Sequence, residues 1–474
     1  MHKSFPWPYI MIAGIVILFL IRMENIDEAP MDTHFFRQAL TLGVARNYIE
    51  WDSNLFHPRT ILCDSREGNI AGEFPIYNYL VSILWRIFGQ HNWCFRLLTL
   101  IVSSFGLWYF YKISCRIISE KSSVAATVLF GTSIAFIYAR KGMPDVFSLS
   151  LVLAGVSFGW SFLEKGKFWQ LLLFILFVST GILSKIPSAT VAVFLAWPIL
   201  FDKAFSFKRK MWLIAASVIA LLPVVAWYFV WVPIAEKEFS QNFFFRLGLS
   251  NAWYQIAIKS WNYTLERFYP IALQSRLSYI FLILGFGLMF IKRNYKFQFT
   301  FLMISIIFLI FILQVGEVFS AHEYYIIPYV PIMALIAGYG LGEVVTKDWL
   351  FILILIVLGG EAIYRKHDDF FVKEEDKRIT KIENVVRQCI PFNSRIMVVG
   401  QPVYVPSMMY FAHRKGWPET NLDQVYNRDR IVGESTVGLE YIVADRLIMP
   451  DTIDYPMLYE DNEFRIFKIK GAIK

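Results

Sequence analysis

Four carboxylates and a set of cations carry the chemistry this sequence can offer. Asp32 lies in a long polar stretch, RMENIDEAPMDTHFFRQALTLGVARNYIEW, where Asp32, His34, Arg37, Gln38 and Arg46 are spaced so that several share one helix face. Glu73 follows a glycine and precedes Phe74-Pro75. Further along stand Arg140, Lys141 and Asp145 in ARKGMPD, Lys185 in LSKIP, and His322, Glu323, Tyr324 and Tyr325 in SAHEYY. A carboxylate can deprotonate or orient an acceptor nucleophile. Cations can stabilise a departing phosphate. Together the two residue types suit transfer of a group from a phosphate held on a lipid tail to an acceptor at the membrane surface.

Each of these residues also has a plainer reading. A charge-rich stretch such as the one around Asp32 serves equally as a solvated loop. Asp145 opens an apolar run, where an isolated acid acts as a cap or a helix-dipole partner. Lys185 closes one, where a lysine can snorkel. A cation on the outer side nevertheless runs against the positive-inside rule, and Pro187 breaks the helix beside it. The aromatic groups Trp253, Tyr254 and Trp261 read either as sugar or lipid contacts or as an interfacial belt.

The elements that must position these groups are set by composition. The chain has 474 residues, 56% of them hydrophobic and 18% charged, with a mean hydropathy of +0.47. A soluble domain carries about a quarter charged residues. Aromatic residues reach 18%, with 44 Phe and 15 Trp, which suits lipid-facing helices. A helical span needs about 20 mostly apolar residues. Such runs occur near 5–21, 96–114, 123–139, 145–163, 168–184, 188–201, 211–232, 278–291, 297–315, 326–342 and 349–364, which predicts eleven spans. The first is followed by no small-residue cleavage site and reads as a retained span. The run 76–89, IYNYLVSILWRIFG, is too short to cross comfortably and reads as an interfacial helix.

Charge sets the orientation. With the N-terminus inside, the loops near 112–121, 164–167, 202–210, 292–296 and 343–348 are cytoplasmic, and each carries Lys or Arg. The opposite side then holds 22–95, 140–144, 185–187, 233–277, 316–325 and everything after 365, including every residue singled out above except Asp145, which opens the span 145–163. The net charge of +8 is concentrated in these short inner clusters, which excludes a nucleic-acid reading. The four cysteines (Cys63, Cys94, Cys115, Cys389) form no CxxC or Cys/His cluster, so no zinc-finger-type metal site is expected. Cys63 and Cys94 both fall outside, where they either pair or stay free.

After Arg365 the composition changes. A charged linker, KHDDFFVKEEDKR, leads into helix-like runs at 379–389 and near 404–413 and strand-like runs at 394–400, 439–445 and 463–470. The expected fold is an all-α polytopic membrane domain, 1–365, with a small external α/β domain, 366–474.

The order of these features resembles a family. An acidic first external loop is followed by GEFPIYNYLVSILWRIFG, then Arg96 at the opening of the next span, a basic inner loop, RKGMPD, ILSKIP and HEYYIIPYVPIMALIAGYGL. Over roughly residues 1–345 this looks like the C-type membrane glycosyltransferases of the aminoarabinose-transferase and protein O-mannosyltransferase group. The resemblance implies that Asp32 is the first-loop catalytic aspartate, with Asp27-Glu28 an alternative acidic pair. It makes Asp145 the second-loop aspartate, Lys185 the phosphate-binding lysine, and Glu73 the acid before the interfacial helix. Thr33 stands where a Glu is usual, and Leu40 where relatives often have Asp.

The resemblance implies an inverting transfer of a sugar from a polyprenyl phosphate to a lipid, glycan or protein acceptor, on the periplasmic side of a bacterial inner membrane. It would be metal-independent or weakly metal-dependent, with a divalent ion the one candidate cofactor. Asp32 and Asp145 are the expected catalytic pair. Glu73, Arg140, Lys141, Lys185, His322, Glu323 and Tyr324 are the expected substrate contacts. The rivals are an oligosaccharyltransferase or glycan polymerase, a lipid-linked sugar transporter or flippase, and a membrane scaffold. Against the transporter stand the absence of charges in mid-span and of a two-halves repeat.

Overall fold

A computed structural model describes residues 6–239 and 249–469. Each apolar run expected to span is helical over most of its described length, although 123–139 breaks at Ser133-Ile134 between Glu120–Thr132 and Ala135–Tyr138, and 188–201 is largely a 3-10 helix. Five helices are long and apolar enough to cross a membrane: Asn92–Ser114, Pro144–Lys165, Phe207–Phe239, Tyr295–Val315 and Glu323–Val344. Trp7–Arg22, Phe168–Ser184, Ile186–Leu200 and Ser278–Ile291 are shorter apolar helices. The architecture is that of a polytopic helical membrane protein with one small sheet near its C-terminus.

The chain divides into two compact units. The first comprises Met1–Ile26, Phe95–Val230 and Phe244–Phe370, and the second Asp27–Cys94, Trp231–Phe243 and Phe371–Lys474. One boundary lies near the division expected at 365/366. The others set residues 27–94, read from sequence as a loop of the membrane domain, together with the carboxy-terminal segment.

In the first unit, helices approach closely where side chains are small. A Cβ on Gly338 would collide with the Ala126 backbone, so the helix Val330–Val344 can lie tight against Glu120–Thr132. At one end of the bundle the basic loops interlock. Arg116 pairs with Glu164 at 2.7 Å, Arg209 donates to the Glu164 carbonyl at 2.8 Å, and Lys296 donates to the Arg116 carbonyl at 2.5 Å. Lys121 pairs with Asp348 at 2.7 Å. These residues come from all five of the loops assigned to the cytoplasm. Glu164 closes the 22-residue helix that Asp145 opens, which separates the two by roughly 30 Å at 1.5 Å per residue.

The second unit is built on a five-stranded sheet. Its strands are β1 (Arg395–Val399), β2 (Lys415–Glu419), β3 (Leu439–Asp445), β4 (Met457–Glu460) and β5 (Phe464–Lys468), in the order β2-β1-β3-β5-β4. β1 is parallel to both β2 and β3, while β5 is antiparallel to β3 and β4. β1, β3 and β5 match the three strand-like runs; residue 470 lies outside the described residues. Their core includes Met397, Val399, Trp417, Ile442 and Phe467. Arg378 clamps the buried Asp445 with two bonds of 2.9 and 2.7 Å, tying the helix Glu374–Thr380 to the end of β3.

Segment 27–94 completes this unit. Cys63 and Asp64 donate their backbone N–H groups to the Gly416 carbonyl at 3.2 and 2.9 Å, and Leu62 bridges to Gly416 in parallel. The helix Phe35–Glu50 receives the helix Ile76–Phe88, whose Asn78 donates to the Thr41 carbonyl at 2.7 Å. At 13 residues the latter is about 20 Å long, short of the roughly 30 Å hydrocarbon core. All four cysteines are free.

Candidate active site

Pro144 starts a helix whose first turn holds Asp145, where free amide groups and the helix dipole favour a carboxylate. The next helix, Phe168–Ser184, ends at Lys185, whose backbone is extended (φ −160°, ψ 106°). Pro187 follows, and Ile186–Leu195 continues as a tighter 3-10 helix. The break is pinned to the neighbouring helix. Ser148 Oγ hydrogen-bonds the Gly181 carbonyl at 2.6 Å and Ser188 Oγ at 2.7 Å. Gly181 has no room for a side chain: a Cβ there would lie 2.9 Å from the Ser148 carbonyl oxygen.

This packing brings Lys185 Nζ to 3.6 Å from Asp145 Oδ1, with both side chains only 6% exposed. The lysine is buried against an acid rather than extended along a surface. Its ammonium also faces two aromatic rings, 5.7 Å from the Tyr324 centroid and 5.6 Å from that of Tyr325. His322 stacks on Tyr324 at 5.4 Å. Glu323 accepts a 3.1 Å bond from the Tyr138 hydroxyl and pairs with Lys366 at 3.7 Å. Lys366 in turn reaches Asp369 at 2.9 Å. Segments 138–145, 185, 322–325 and 366–369 therefore converge on one buried polar cluster.

Arg140 and Lys141 are fully buried in the same unit. Arg140 Nη2 donates to the carbonyls of Glu24 (2.6 Å) and Asn25 (3.1 Å), and its guanidinium lies 3.8 Å from the Phe370 ring centroid. At least part of that guanidinium thus holds the chain just beyond the first helix. Lys141 Nζ lies 5.8 Å from the Tyr138 ring centroid.

Asp32 and Glu73 belong to the second unit. Asp32 is 3% exposed and accepts a hydrogen bond from Gln38 Nε2; Asp32 and His34 precede the helix Phe35–Glu50, so the helix face read from the sequence holds at most Arg37, Gln38 and Arg46. Glu73 pairs with Arg37 at 2.8 Å. Trp253, Tyr254 and Trp261 are all exposed.

Sequence reading missed Tyr138, Lys366 and Arg22. Tyr138 stands two residues before Arg140, and Lys366 heads a segment that reads as a plain charged linker. Arg22 ends the first span yet is buried, donating to the Gly131 carbonyl with its guanidinium 4.8 Å from the Phe136 ring centroid. A cation at the outer end of a span, against the positive-inside rule, was its only signal in the sequence. Among the described residues no three His, Cys, Asp or Glu side chains gather into a group that could hold a metal ion.

Residues 73–230 match the family described as dolichyl-phosphate-mannose-protein mannosyltransferase. No curated protein matches the chain by sequence. Among solved structures, ArnT from Cupriavidus metallidurans bound to undecaprenyl phosphate is similar with a TM-score of 0.60 and 12% identity, covering 99% of each chain. The oligosaccharyltransferase of Archaeoglobus fulgidus in its apo form is similar with a TM-score of 0.59 and 11% identity, covering 94% of this chain and 70% of that one. The chain has the fold of the C-type membrane glycosyltransferases, and about its second third carries the sequence pattern of the mannosyltransferase family.

Proposed function

We propose that this protein is a glycosyltransferase that moves a sugar from a polyprenyl-phosphate carrier to an acceptor on the periplasmic side of a bacterial inner membrane. The observation that carries the reading is the buried Asp145–Lys185 pair at a helix break beside Tyr324 and Tyr325. A cation enclosed in protein and held by one acid is a preorganised partner for a phosphate oxygen. The similar ArnT structure is one with undecaprenyl phosphate bound, which supports a polyprenyl-phosphate donor here.

In the reaction, an acceptor oxygen bonds to the anomeric carbon as the bond from that carbon to the phosphate oxygen breaks. The acceptor proton passes to a carboxylate, and the polyprenyl phosphate leaves with the bonding electron pair. Lys185 meets the charge that grows on the leaving oxygen, with Lys141 as a second cation. Asp145 holds the ammonium in place. Tyr138, Glu323 and Lys366 fix the Tyr324 segment against which Lys185 lies. Asp32, buried and oriented by Gln38, is assigned to the acceptor as base or orienting group.

The test uses the full chain in nanodiscs with a radiolabelled polyprenyl-phosphate sugar and a panel of lipid, glycan and peptide acceptors. Wild type should yield labelled acceptor and free polyprenyl phosphate. Asp32→Asn and Asp145→Asn should each lower the rate about a hundredfold or more, the scale of lost acid–base and electrostatic groups. Movement of intact donor across the bilayer without bond cleavage would instead establish a flippase.

A further inference from the structure

A polar cavity lies wholly within the unit formed by residues 27–94 and the carboxy-terminal sheet. It has a volume of about 230 Å³, and its walls include Arg46, Arg395, Arg414 and Lys415. The single carboxylate in that wall is Glu50, which is already hydrogen-bonded to His413. Among the described residues none of the four cations forms an ion pair with a carboxylate. Four positive charges thus face one negative charge that is itself engaged.

The hydrogen bonds and ring contacts of these cations go to neutral groups, which leaves Glu50 as the one counter-charge in the wall. Arg414 donates to the carbonyls of Pro391 (2.9 Å), His413 (2.9 Å) and Ile390 (2.6 Å). Arg395 donates to the Asp64 carbonyl at 2.8 Å. Arg46, only 8% exposed, donates Nη1 to the Tyr410 carbonyl and lies 4.0 Å from the Tyr410 ring centroid, while its Nε has no acceptor among the described residues. Lys415 Nζ sits 3.2 Å from the centroid of Trp51, an indole that Arg59 also approaches at 4.7 Å. Burial first, and then the nearby Arg59 and Arg395, push the Lys415 ammonium down to about 8 despite Cys63 and Glu50. Asn47, Asn393 and Ser394 add uncharged hydrogen-bonding groups to the wall.

We propose that this cavity binds a phosphoryl dianion carried on a small polar headgroup. Four clustered guanidinium and ammonium groups with Glu50 as their one counter-charge create a strong positive potential, and charge-assisted bonds to phosphate oxygens relieve it. The cavity is small beside ordinary ligand pockets, which admits a phosphate ester and not a whole glycan. None of these residues belongs to the Asp145–Lys185 cluster, so the inference stands apart from the transfer reaction.

The same headgroup could reach the site as a soluble ester or as part of a phospholipid. Calorimetric titration of the full chain with glycerol 3-phosphate separates these sources, in phosphatidylcholine nanodiscs with and without phosphatidic acid. Saturable binding in both disc types assigns a soluble ligand. Saturable binding that phosphatidic acid abolishes assigns the lipid. In either case Lys415→Gln, and Asn393→Asp at the exposed rim, should weaken binding roughly ten- to a hundredfold, the span of one charge-assisted hydrogen bond. Sugar transfer by Lys415→Gln should match wild type, which keeps this test separate from that of the enzyme. No saturable binding in phosphatidylcholine discs, or wild-type affinity in both variants, overturns the proposal.

Discussion

Lys185 Nζ stands 3.6 Å from Asp145 Oδ1, across two helices that Ser148 and Gly181 hold together. A buried ion pair of this kind is weak evidence for stability, because desolvation offsets much of the attraction. Its place at a helix break beside Tyr324 and Tyr325 fits the proposed chemistry. Removing one partner strands the other, whereas removing both with apolar residues costs little.

That asymmetry separates function from stability. Lys185→Met should lower transfer from a polyprenyl-phosphate donor about ten- to a thousandfold and destabilise the protein by roughly 3–5 kcal/mol. The double variant Lys185→Met/Asp145→Leu should recover most of the melting temperature and none of the activity. Lys185→Arg should keep part of the activity, since charge persists while geometry changes. Wild-type rates in a folded Lys185→Met protein would remove this lysine from the reaction.

Gly181→Ala tests the positioning without touching a charge. The new methyl would sit 2.6 Å from Val152 Cγ2 and 2.9 Å from the Ser148 carbonyl oxygen, so the helices must part. Overpacking of this sort costs about 1–3 kcal/mol, read as a lower melting temperature in detergent. Transfer should fall as well, because the shift carries Lys185 away from Asp145. An unchanged rate alongside a lowered melting temperature would show that the pair tolerates displacement.

Lys415 gives a pH signature to the second unit. Its ammonium titrates near 8 in the folded chain, mainly through burial, against an ordinary value of 10.5. Between those values the unfolded chain holds the proton and the folded one does not. Stability contributed by this group therefore rises with pH from about 8 to about 10.5 and is flat below. Melting curves of wild type should carry this slope across that window, and those of Lys415→Gln should lose it. Identical slopes would mean that the lysine titrates at its ordinary value.

Orientation is open to direct test. Fusion of a reporter after Lys210 should register as cytoplasmic and after Arg365 as periplasmic. The interlocked loops around Arg116, Glu164, Arg209 and Lys296 require one side for all of them. A cytoplasmic signal after Arg365 would overturn the span count and the site assignment.

The sequence by itself determined the membrane class, the helical runs and which loops share an end. Hydropathy and charge act locally along the chain, so a run of apolar residues or a knot of lysines declares itself without a partner. The strands β1, β3 and β5 were legible for the same reason, as short apolar or β-branched runs. β2 was not: KGWPE contains Gly416 and Pro418 and extends only because β1 pairs with it along its whole length. Only the tertiary structure decided which charges meet. Asp145 and Lys185 are each unremarkable helix-end residues until Ser148 and Gly181 seat one helix on the other. Tyr138 finds Glu323 across 185 residues of sequence. Residues 27–94 join the carboxy-terminal sheet through Gly416, and so create a basic cavity from two segments that look unrelated in sequence. Pairing, burial and close approach are properties of contacts, and contacts between distant segments exist only once the chain has folded.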